Sequence, residues 1–176
     1  RGADALAATR ADIARHGGLA HAAPCDLADA ADVARYVAEA QAALGGIDIL
    51  VNNASGFGMG DDEAGWAASL QVDVMAMVRA SHAALPALLA NAATGSCIVH
   101  LTSISGLRPS ARSAAYAAAK AAMISYTGSQ AAMLARQGVR VNAIAPGSIE
   151  FPGGVWDQRR LAGDPLSERT LKSIPF

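Results

Sequence analysis

The chain has 176 residues, which is enough for one domain around a single hydrophobic core. Hydrophobic residue types make up 52% of it and charged types 16%, a balance that excludes an intrinsically disordered chain. The formal net charge is -1 and Lys and Arg form no runs, so nothing indicates nucleic acid as a partner.

Neither a membrane span nor a disulfide framework is predicted. The richest apolar stretch, residues 72–93, is interrupted by charged and polar residues and a proline, so we expect no membrane partner. Cys25 and Cys97 are far apart in sequence and neither belongs to a Cys-x-x-Cys motif. Isolated cysteines of this kind are typical of reduced thiols, and we therefore expect a cytoplasmic protein.

The spacing of apolar residues separates predicted helices from predicted strands. In chain order it predicts a helix over residues 3–16, a strand over 19–25, a helix over 26–44, a strand over 47–51, a helix over 63–91, a strand over 96–101, a helix over 113–137 and a strand over 139–144. Loop and short helix follow. Strands that alternate with helices favour an α/β domain whose parallel sheet is covered on both faces.

Polar clusters follow three of the predicted strands directly. These clusters are Asn52-Asn53-Ala54, Thr102-Ser103 and Pro146-Gly147. Ligands of open α/β sheets bind beyond the carboxyl ends of the strands. We therefore expect the functional site where these three clusters meet.

Tyr116 and Lys120 lie four residues apart on a predicted helix, and this spacing places them on one helical face. An ammonium group beside a phenol favours the phenolate, so Lys120 is expected to lower the pKa of Tyr116 towards neutrality. A phenol in that state can exchange a proton with a carbonyl or alcohol oxygen. Such a pair also arises by chance, so on its own it is a weak signal.

Ser103 precedes Tyr116 by thirteen residues and follows a predicted strand. Its hydroxyl could hydrogen-bond a reacting oxygen and hold it for Tyr116. The alternative is a serine that only caps a loop. Both interpretations stay open on the sequence alone.

Taken together, these motifs resemble those of the short-chain dehydrogenase/reductase family. The resemblance rests on the order and spacing of Asn52-Asn53-Ala54, Ser103, Tyr116, Lys120 and the run from Asn142 to Gly147, and it covers essentially the whole chain. It implies a Rossmann-like doubly wound parallel sheet and hydride transfer between NAD(P)(H) and a carbonyl or secondary alcohol. Within the family, the chain is most similar in kind to 3-oxoacyl-carrier-protein reductases, and a homodimer or homotetramer is implied.

The resemblance also implies roles for individual residues. Tyr116 would be the general acid/base, Ser103 would orient the substrate, and Lys120 would lower the pKa of Tyr116 and bind the nicotinamide ribose. The remaining cofactor contacts would be made by Asp26 and Leu27 at the adenine, Asn53 and Ala54 along the adenosine ribose, and Pro146, Gly147 and Ile149 at the nicotinamide.

Two residues depart from the family pattern. Asp73 stands where the family commonly has an Asn that feeds a proton relay through the catalytic Lys. An ionised Asp73 near Lys120 would offset the effect of Lys120 on Tyr116, and we predict that Asp73→Asn keeps or raises activity. Phe151 stands where the family often has a cofactor-binding Thr, so that contact is not expected.

The chain also lacks the glycine-rich phosphate loop, since no Gly-x-x-x-Gly-x-Gly motif follows a strand before Asp26. We therefore expect a single partial domain that lacks the first two strands and the last strand of the family fold, with residues 147–176 as a partial substrate lid. Expressed as written, such a chain is expected to fold poorly and to bind no dinucleotide. Arg1, placed just after the missing second strand, favours NADP over NAD.

Three other interpretations remain open. The chain could be a non-catalytic dinucleotide-binding protein, an inactive fragment of an enzyme, or an extended relative such as a sugar-nucleotide epimerase. An apolar lid over residues 151–156 would suit an acyl chain or another hydrophobic ketone, unless Phe151 and Trp156 simply pack on the core. The four histidines show no ligand spacing, so no metal is predicted.

Overall fold

The structure is a computed structural model that describes residues 2–174. These residues form two units, residues 2–145 and 146–174. The boundary lies one residue before the segment 147–176 that the sequence assigned to a lid. The role of that segment as a lid, and the assignment of one partial domain to the whole chain, stay predictions.

In the first unit, helices and strands alternate along the chain, as the pattern predicted. Its elements are α1 (Ala3–Arg15), α2 (Ala30–Leu44), β1 (Ile49–Asn52), α3 (Glu63–Ala68), α4 (Ala76–Ala90), β2 (Cys97–Leu101), α5 (Ala114–Leu134) and β3 (Arg140–Ile144). A π-helical segment, Ser69–Met75, joins α3 to α4. The second unit contains α6 (Val155–Leu161) and α7 (Pro165–Ser173).

The three strands of the first unit form one parallel sheet in the order β1-β2-β3. Val51 of β1 pairs with Val99 of β2, which in turn pairs with Asn142 of β3. All three carboxyl ends therefore reach the same edge of the sheet. This arrangement confirms the predicted α/β class with a parallel Rossmann-like sheet.

The strand predicted over residues 19–25 is absent, and this prediction was wrong. The segment runs without regular structure and pairs with none of the strands in the described part of the chain. A strand is stable only when its backbone N–H and C=O groups find a neighbouring strand, and apolar spacing alone cannot supply one.

The core of the first unit lies around β2. Cys97 and Ile98 are successive residues of β2 and both are buried, so side chains on both faces of the sheet are covered. Helix α4 packs on β1 and β2, and α5 packs on β3. Leu88 of α4 and Val139, which precedes β3, join Ile98 in the same fully buried cluster.

Helix α2 begins four residues later than predicted. The Asp29 side chain accepts hydrogen bonds from the backbone N–H groups of Ala31 and Asp32, at 2.7 and 2.9 Å, and so caps the helix. Asp26 and Leu27 consequently lie in the turn before α2, with Asp26 exposed and Leu27 half-buried.

The helical run from Glu63 to Ala90 is long and apolar enough to cross a membrane on length and composition alone. Its mean hydropathy is high even though charged and polar residues and a proline interrupt it. The run packs against the sheet and carries the buried Asp73, as a core helix of a layered α/β domain does. The expected lack of a membrane partner stays a prediction.

His100, on β2, forms a buried polar chain that links β1 to α5. Its Nδ1 accepts a hydrogen bond from Asn52 Nδ2 at 3.1 Å, and its Nε2 lies 3.1 Å from Gln130 Oε1. This pairing fixes the neutral ring with its proton on Nε2. Burial lowers the pKa of His100 below its usual 6.5, although the hydrogen bond to Gln130 acts in the opposite direction.

The lowered pKa of His100 predicts acid-sensitive stability. Because the folded-state pKa lies below the unfolded value, the neutral ring contributes its full stability above pH 6.5. That contribution is lost as the pH falls from 6.5 through the folded-state pKa, at up to about 1.4 kcal/mol per pH unit. Urea unfolding between pH 7 and pH 5 measures the slope, and His100→Gln is expected to flatten it. An equal slope in both proteins would contradict the prediction.

Candidate active site

Ser103 and Tyr116 come together at the carboxyl edge of the sheet. Ser103 lies two residues beyond β2 and begins a 3-10 turn, Ile104–Leu107, in which its Oγ accepts a hydrogen bond from Ser105 N at 3.1 Å. Tyr116 is in the first turn of α5 and is half-buried. Half-burial raises the pKa of Tyr116 and a side-chain contact with Ser103 acts against that rise, so the two hydroxyl groups are neighbours.

Lys120 lies one turn further along α5, and its side chain is 2% exposed. Its Nζ donates a hydrogen bond to Leu101 O at 3.0 Å and lies 5.4 Å from the centre of the Tyr116 ring. The structure therefore brings Ser103, Tyr116 and Lys120 into one cluster, as the sequence predicted. Their catalytic roles stay predictions.

Asp73, in the π-helical segment, forms a direct ion pair with Lys120. Its Oδ1 lies 2.9 Å from Lys120 Nζ, and the Asp73 side chain is 0% exposed. The carboxylate also accepts hydrogen bonds from Ser55 Oγ at 2.7 Å and from Gly56 N at 2.9 Å. Asp73 thus connects α5 to the loop that follows β1.

The pKa of Tyr116 is raised in the structure, contrary to the predicted fall towards neutrality. Half-burial of the phenol is the largest cause, the Ser103 hydrogen bond lowers the pKa, and the negative charge of Asp73 raises it again. Lys120 does not reverse this shift because its positive charge is paired with Asp73. The offset that the sequence indicated for Asp73 near Lys120 is thus present as a direct ion pair.

Phe57 is a member of the cluster that the sequence analysis missed. Its ring is stacked on that of Tyr116, with 6.1 Å between the ring centres and 9° between the planes. Phe57 has a φ of +48°, the one positive value among the non-glycine residues that the structure describes. Its backbone N–H donates a hydrogen bond to Ser55 Oγ, and Ser55 Oγ in turn donates to Asp73. The turn that positions the Phe57 ring is therefore held by Asp73.

Gly106 allows the 3-10 turn to approach α5 closely. A Cβ at this position would lie 2.7 Å from the carbonyl carbon of Lys120 and 2.8 Å from Ala121 N, both backbone atoms of α5. No side chain larger than hydrogen fits there without moving the turn. Gly106 is therefore what lets Ser103 stand beside Tyr116.

Gly106→Ala is expected to destabilise the protein by about 1–3 kcal/mol, because the added methyl group pushes the turn off α5. Gly128→Ala is the matched control on α5, since nothing lies within 4 Å of a Cβ at Gly128. The control is expected to stabilise the protein by about 0.5–1 kcal/mol, through helix propensity alone. Urea unfolding of both variants measures the contrast, and a neutral Gly106→Ala would show that the close approach is not required.

The residues predicted to hold adenosine lie around one cleft. Leu27, Asn53 and Ala54 line a cavity of about 160 Å³ between α2, β1 and the π-helical segment. Asn53 and Ala54 are exposed directly after β1, while Asn52 is tied to His100. Asp26 lies in the turn next to Leu27, where its Oδ1 accepts a hydrogen bond from Ala28 N.

The other cofactor predictions concern the second unit and the first residue of the chain. Pro146, Gly147 and Ile149 belong to the second unit, and Arg1 lies outside the described residues. Phe151 is 59% exposed and Trp156 is half-buried, so Phe151 does not pack into the core of its own unit. Their predicted roles at the nicotinamide and in the lid stay predictions.

One hydrogen-bond donor of the cluster is free to bind a hydroxyl group. Lys120 uses two of its three N–H donors on Leu101 O and Asp73, which leaves one for a ribose hydroxyl. A Cβ at Gly56, Gly58 or Gly106 would clash with backbone atoms, so the space beside these glycines is already occupied. None of them therefore provides an open binding site for phosphate. Among residues 2–174, no group of three His, Cys, Asp or Glu side chains is arranged to hold a metal ion.

Comparison with known proteins gives consistent similarities. The sequence model of the family described as short chain dehydrogenase matches residues 1–159. Among curated relatives, 2-(S)-hydroxypropyl-CoM dehydrogenase 3 of Xanthobacter autotrophicus is 35% identical over 167 residues, which cover 91% of this chain and 64% of that protein. The 15-hydroxyprostaglandin dehydrogenase (NAD(+)) of Rattus norvegicus is 33% identical over 131 residues, or 73% of this chain and 48% of that protein.

A solved structure shares the fold over nearly the whole chain. The NADPH-bound short-chain oxidoreductase of Pseudomonas aeruginosa, which contains an atypical catalytic center, superposes with a TM-score of 0.80 at 32% identity and covers 93% of this chain and 65% of that one. The chain spans about half to two thirds of the length of the curated relatives it matches.

Proposed function

The chain belongs to the short-chain dehydrogenase/reductase family, and from this premise we propose that the protein transfers a hydride between NADP(H) or NAD(H) and a carbonyl or secondary alcohol. The observation that carries the proposal is the convergence of the Ser103 hydroxyl, the Tyr116 phenol and the Lys120 ammonium at the carboxyl edge of the sheet. A regulatory dinucleotide-binding protein needs none of these three groups.

A nicotinamide cofactor held at this site would supply the hydride for the carbonyl carbon in carbonyl reduction. The Tyr116 hydroxyl donates its proton to the carbonyl oxygen, and the product is the alcohol. Ser103 donates a hydrogen bond to the same oxygen and holds it within reach of Tyr116. Lys120 binds a ribose hydroxyl with its remaining donor, and alcohol oxidation reverses each of these steps.

NADP is proposed as the cofactor ahead of NAD. The Pseudomonas structure is bound to NADPH, whereas the name of the rat relative specifies NAD(+). Asp26 and Leu27 would contact the adenine, and Asn53 and Ala54 would lie along the adenosine ribose, because they share one cleft or its rim. Pro146, Gly147 and Ile149 are proposed at the nicotinamide from the family resemblance.

The substrate class is proposed as a carbonyl compound with an apolar part, of which a 3-oxoacyl thioester is one candidate. The Phe57 ring stacked on Tyr116 supports an apolar neighbour for the reacting group. A homo-oligomer and a cytoplasmic location are proposed on the resemblance and on the free cysteines, Cys25 and Cys97.

The second candidate is a dinucleotide-binding protein or enzyme fragment without activity. The observation in its favour is the ion pair of Asp73 with Lys120, which cancels the charge that would activate Tyr116. A panel of ketones, 3-oxoacyl thioesters and the matching alcohols, assayed with NADPH and NADH on the full encoded protein, separates the two. Turnover of any of them supports the enzyme, whereas dinucleotide binding without turnover supports the second candidate.

A further inference from the structure

The ion pair between Asp73 and Lys120 is the most deeply buried pair of charges in the described residues. The two side chains are 0% and 2% exposed, whereas every other ion pair there has one side chain that is at least 40% exposed. Solvent screens the exposed pairs strongly but screens this one little. The charge of Asp73 therefore acts on its neighbours at close to full strength.

Two hydrogen-bond donors in the loop after β1 hold the Asp73 carboxylate in place. Ser55 Oγ and Gly56 N each donate to one of its oxygens, and the π-helical segment presents the side chain towards α5. These two hydrogen bonds and the ion pair with Lys120 fix the position of the carboxylate. The geometry thus places a carboxylate next to the ammonium that stands below Tyr116.

Within residues 2–145, no other charge offsets Asp73 at the Tyr116 phenol. Lys120 is the nearest cation among them, and it is already paired. The remaining charged side chains on the elements packed against α5, or at their ends, are exposed: Asp62, Glu63, Arg108, Arg112, Arg136 and Arg140. Exposed charges are screened by water and salt, so Asp73 and Lys120 dominate the field at the phenol.

We propose that Asp73 is a positioning residue that neutralises the Lys120 ammonium and thereby keeps the Tyr116 hydroxyl protonated through neutral and moderately alkaline pH. The proposal rests on the proposed function of Tyr116 as the acid/base. A protonated phenol is the form that donates to a carbonyl oxygen, so carbonyl reduction extends to higher pH. Alcohol oxidation, which needs the phenolate as proton acceptor, begins only at alkaline pH.

Asp73→Asn removes the charge while keeping the shape of the side chain. In the full encoded protein, the pH midpoint at which kcat/KM for alcohol oxidation rises is expected to fall by about one unit or more, because the Lys120 ammonium is then unpaired. Asp48→Asn is the matched control, since it removes the same charge from an exposed side chain just before β1, at the opposite end of that strand. The control is expected to leave the midpoint unchanged, and an unchanged midpoint in Asp73→Asn overturns the proposal.

A spectroscopic titration tests the same proposal without any cofactor and without the Asp73 variant. The ultraviolet absorbance of tyrosinate is followed against pH in the wild-type protein and in Tyr116→Phe, and their difference isolates Tyr116 from Tyr36 and Tyr126. The difference signal is expected to appear above pH 10. A midpoint below 8 overturns the proposal, even if Asp73→Asn fails to fold.

A failure of the proposed role of Asp73 can be distinguished from a failure of the proposed function. If the protein turns over ketones and loses that activity in Tyr116→Phe, but Asp73→Asn leaves both titrations unchanged, the proposed function stands and the role of Asp73 falls. If no dinucleotide-dependent turnover is found, the proposed function falls, while the spectroscopic titration, repeated in Asp73→Asn, still decides whether Asp73 sets the protonation of Tyr116.

Discussion

Replacement of Tyr116 by Phe is expected to lower kcat for carbonyl reduction by about a hundredfold or more. The change removes one oxygen atom and therefore the proton that the carbonyl oxygen receives. Ser103 cannot take over this role, because an unactivated serine hydroxyl is a much weaker acid than a phenol. The Phe ring retains the apolar contact with Phe57, so the shape of the cluster is preserved.

The matched control for this variant is Tyr126→Phe, on the same helix. The Tyr126 hydroxyl accepts a hydrogen bond from Gln130 Nε2 at 3.3 Å, next to His100 and away from the Ser103 cluster. Tyr126→Phe is expected to keep kcat within about twofold, and both variants are expected to bind NADPH as the wild-type protein does. Steady-state kinetics and fluorescence titration measure these quantities. Full activity in Tyr116→Phe would remove Tyr116 from the chemistry.

Local sequence rules were sufficient for most of the fold. The runs that became β1, β2 and β3 are short, apolar and bounded by Gly or polar residues, and they form a parallel sheet as the alternation with helices predicted. Residues 19–25 include Pro24 and no β-branched residue, and no strand lies beside them. Hydrogen-bond partners are a tertiary property, and this is why the prediction failed there.

The candidate site was predictable to the extent that it depends on spacing. Tyr116 and Lys120 share a face because α5 is regular, and Ser103 follows β2 directly. The ion pair of Lys120 depends instead on the π-helical segment, whose extra residue per turn changes the direction of Asp73. Asp73 in place of the family's Asn was the sequence signal of this pair, and it indicated both the partner of Lys120 and the offset of its effect on Tyr116. The sequence did not show that half-burial of the phenol would raise the pKa of Tyr116.

Breaking the ion pair between Asp73 and Lys120 is expected to lower the stability of the protein more than any other variant proposed above. Lys120→Met leaves the Asp73 carboxylate at 0% exposure with hydrogen bonds from Ser55 and Gly56 but without a counter-charge. Breaking a buried pair in this way costs about 3–5 kcal/mol, because the remaining charge has lost both water and partner. Urea unfolding at neutral pH measures the loss.

A double variant separates the effect of the unpaired charge from the effect of the other contacts that Lys120 makes. Adding Asp73→Asn to Lys120→Met removes the stranded charge, so the double variant is expected to recover more than half of the lost stability. Arg15→Met serves as the surface control, since Arg15 is paired with Asp12 on α1 but is 75% exposed, and we expect no measurable change there. If the double variant is as unstable as Lys120→Met, the loss comes from the hydrogen bond of Lys120 Nζ to Leu101 O rather than from an unpaired Asp73 carboxylate.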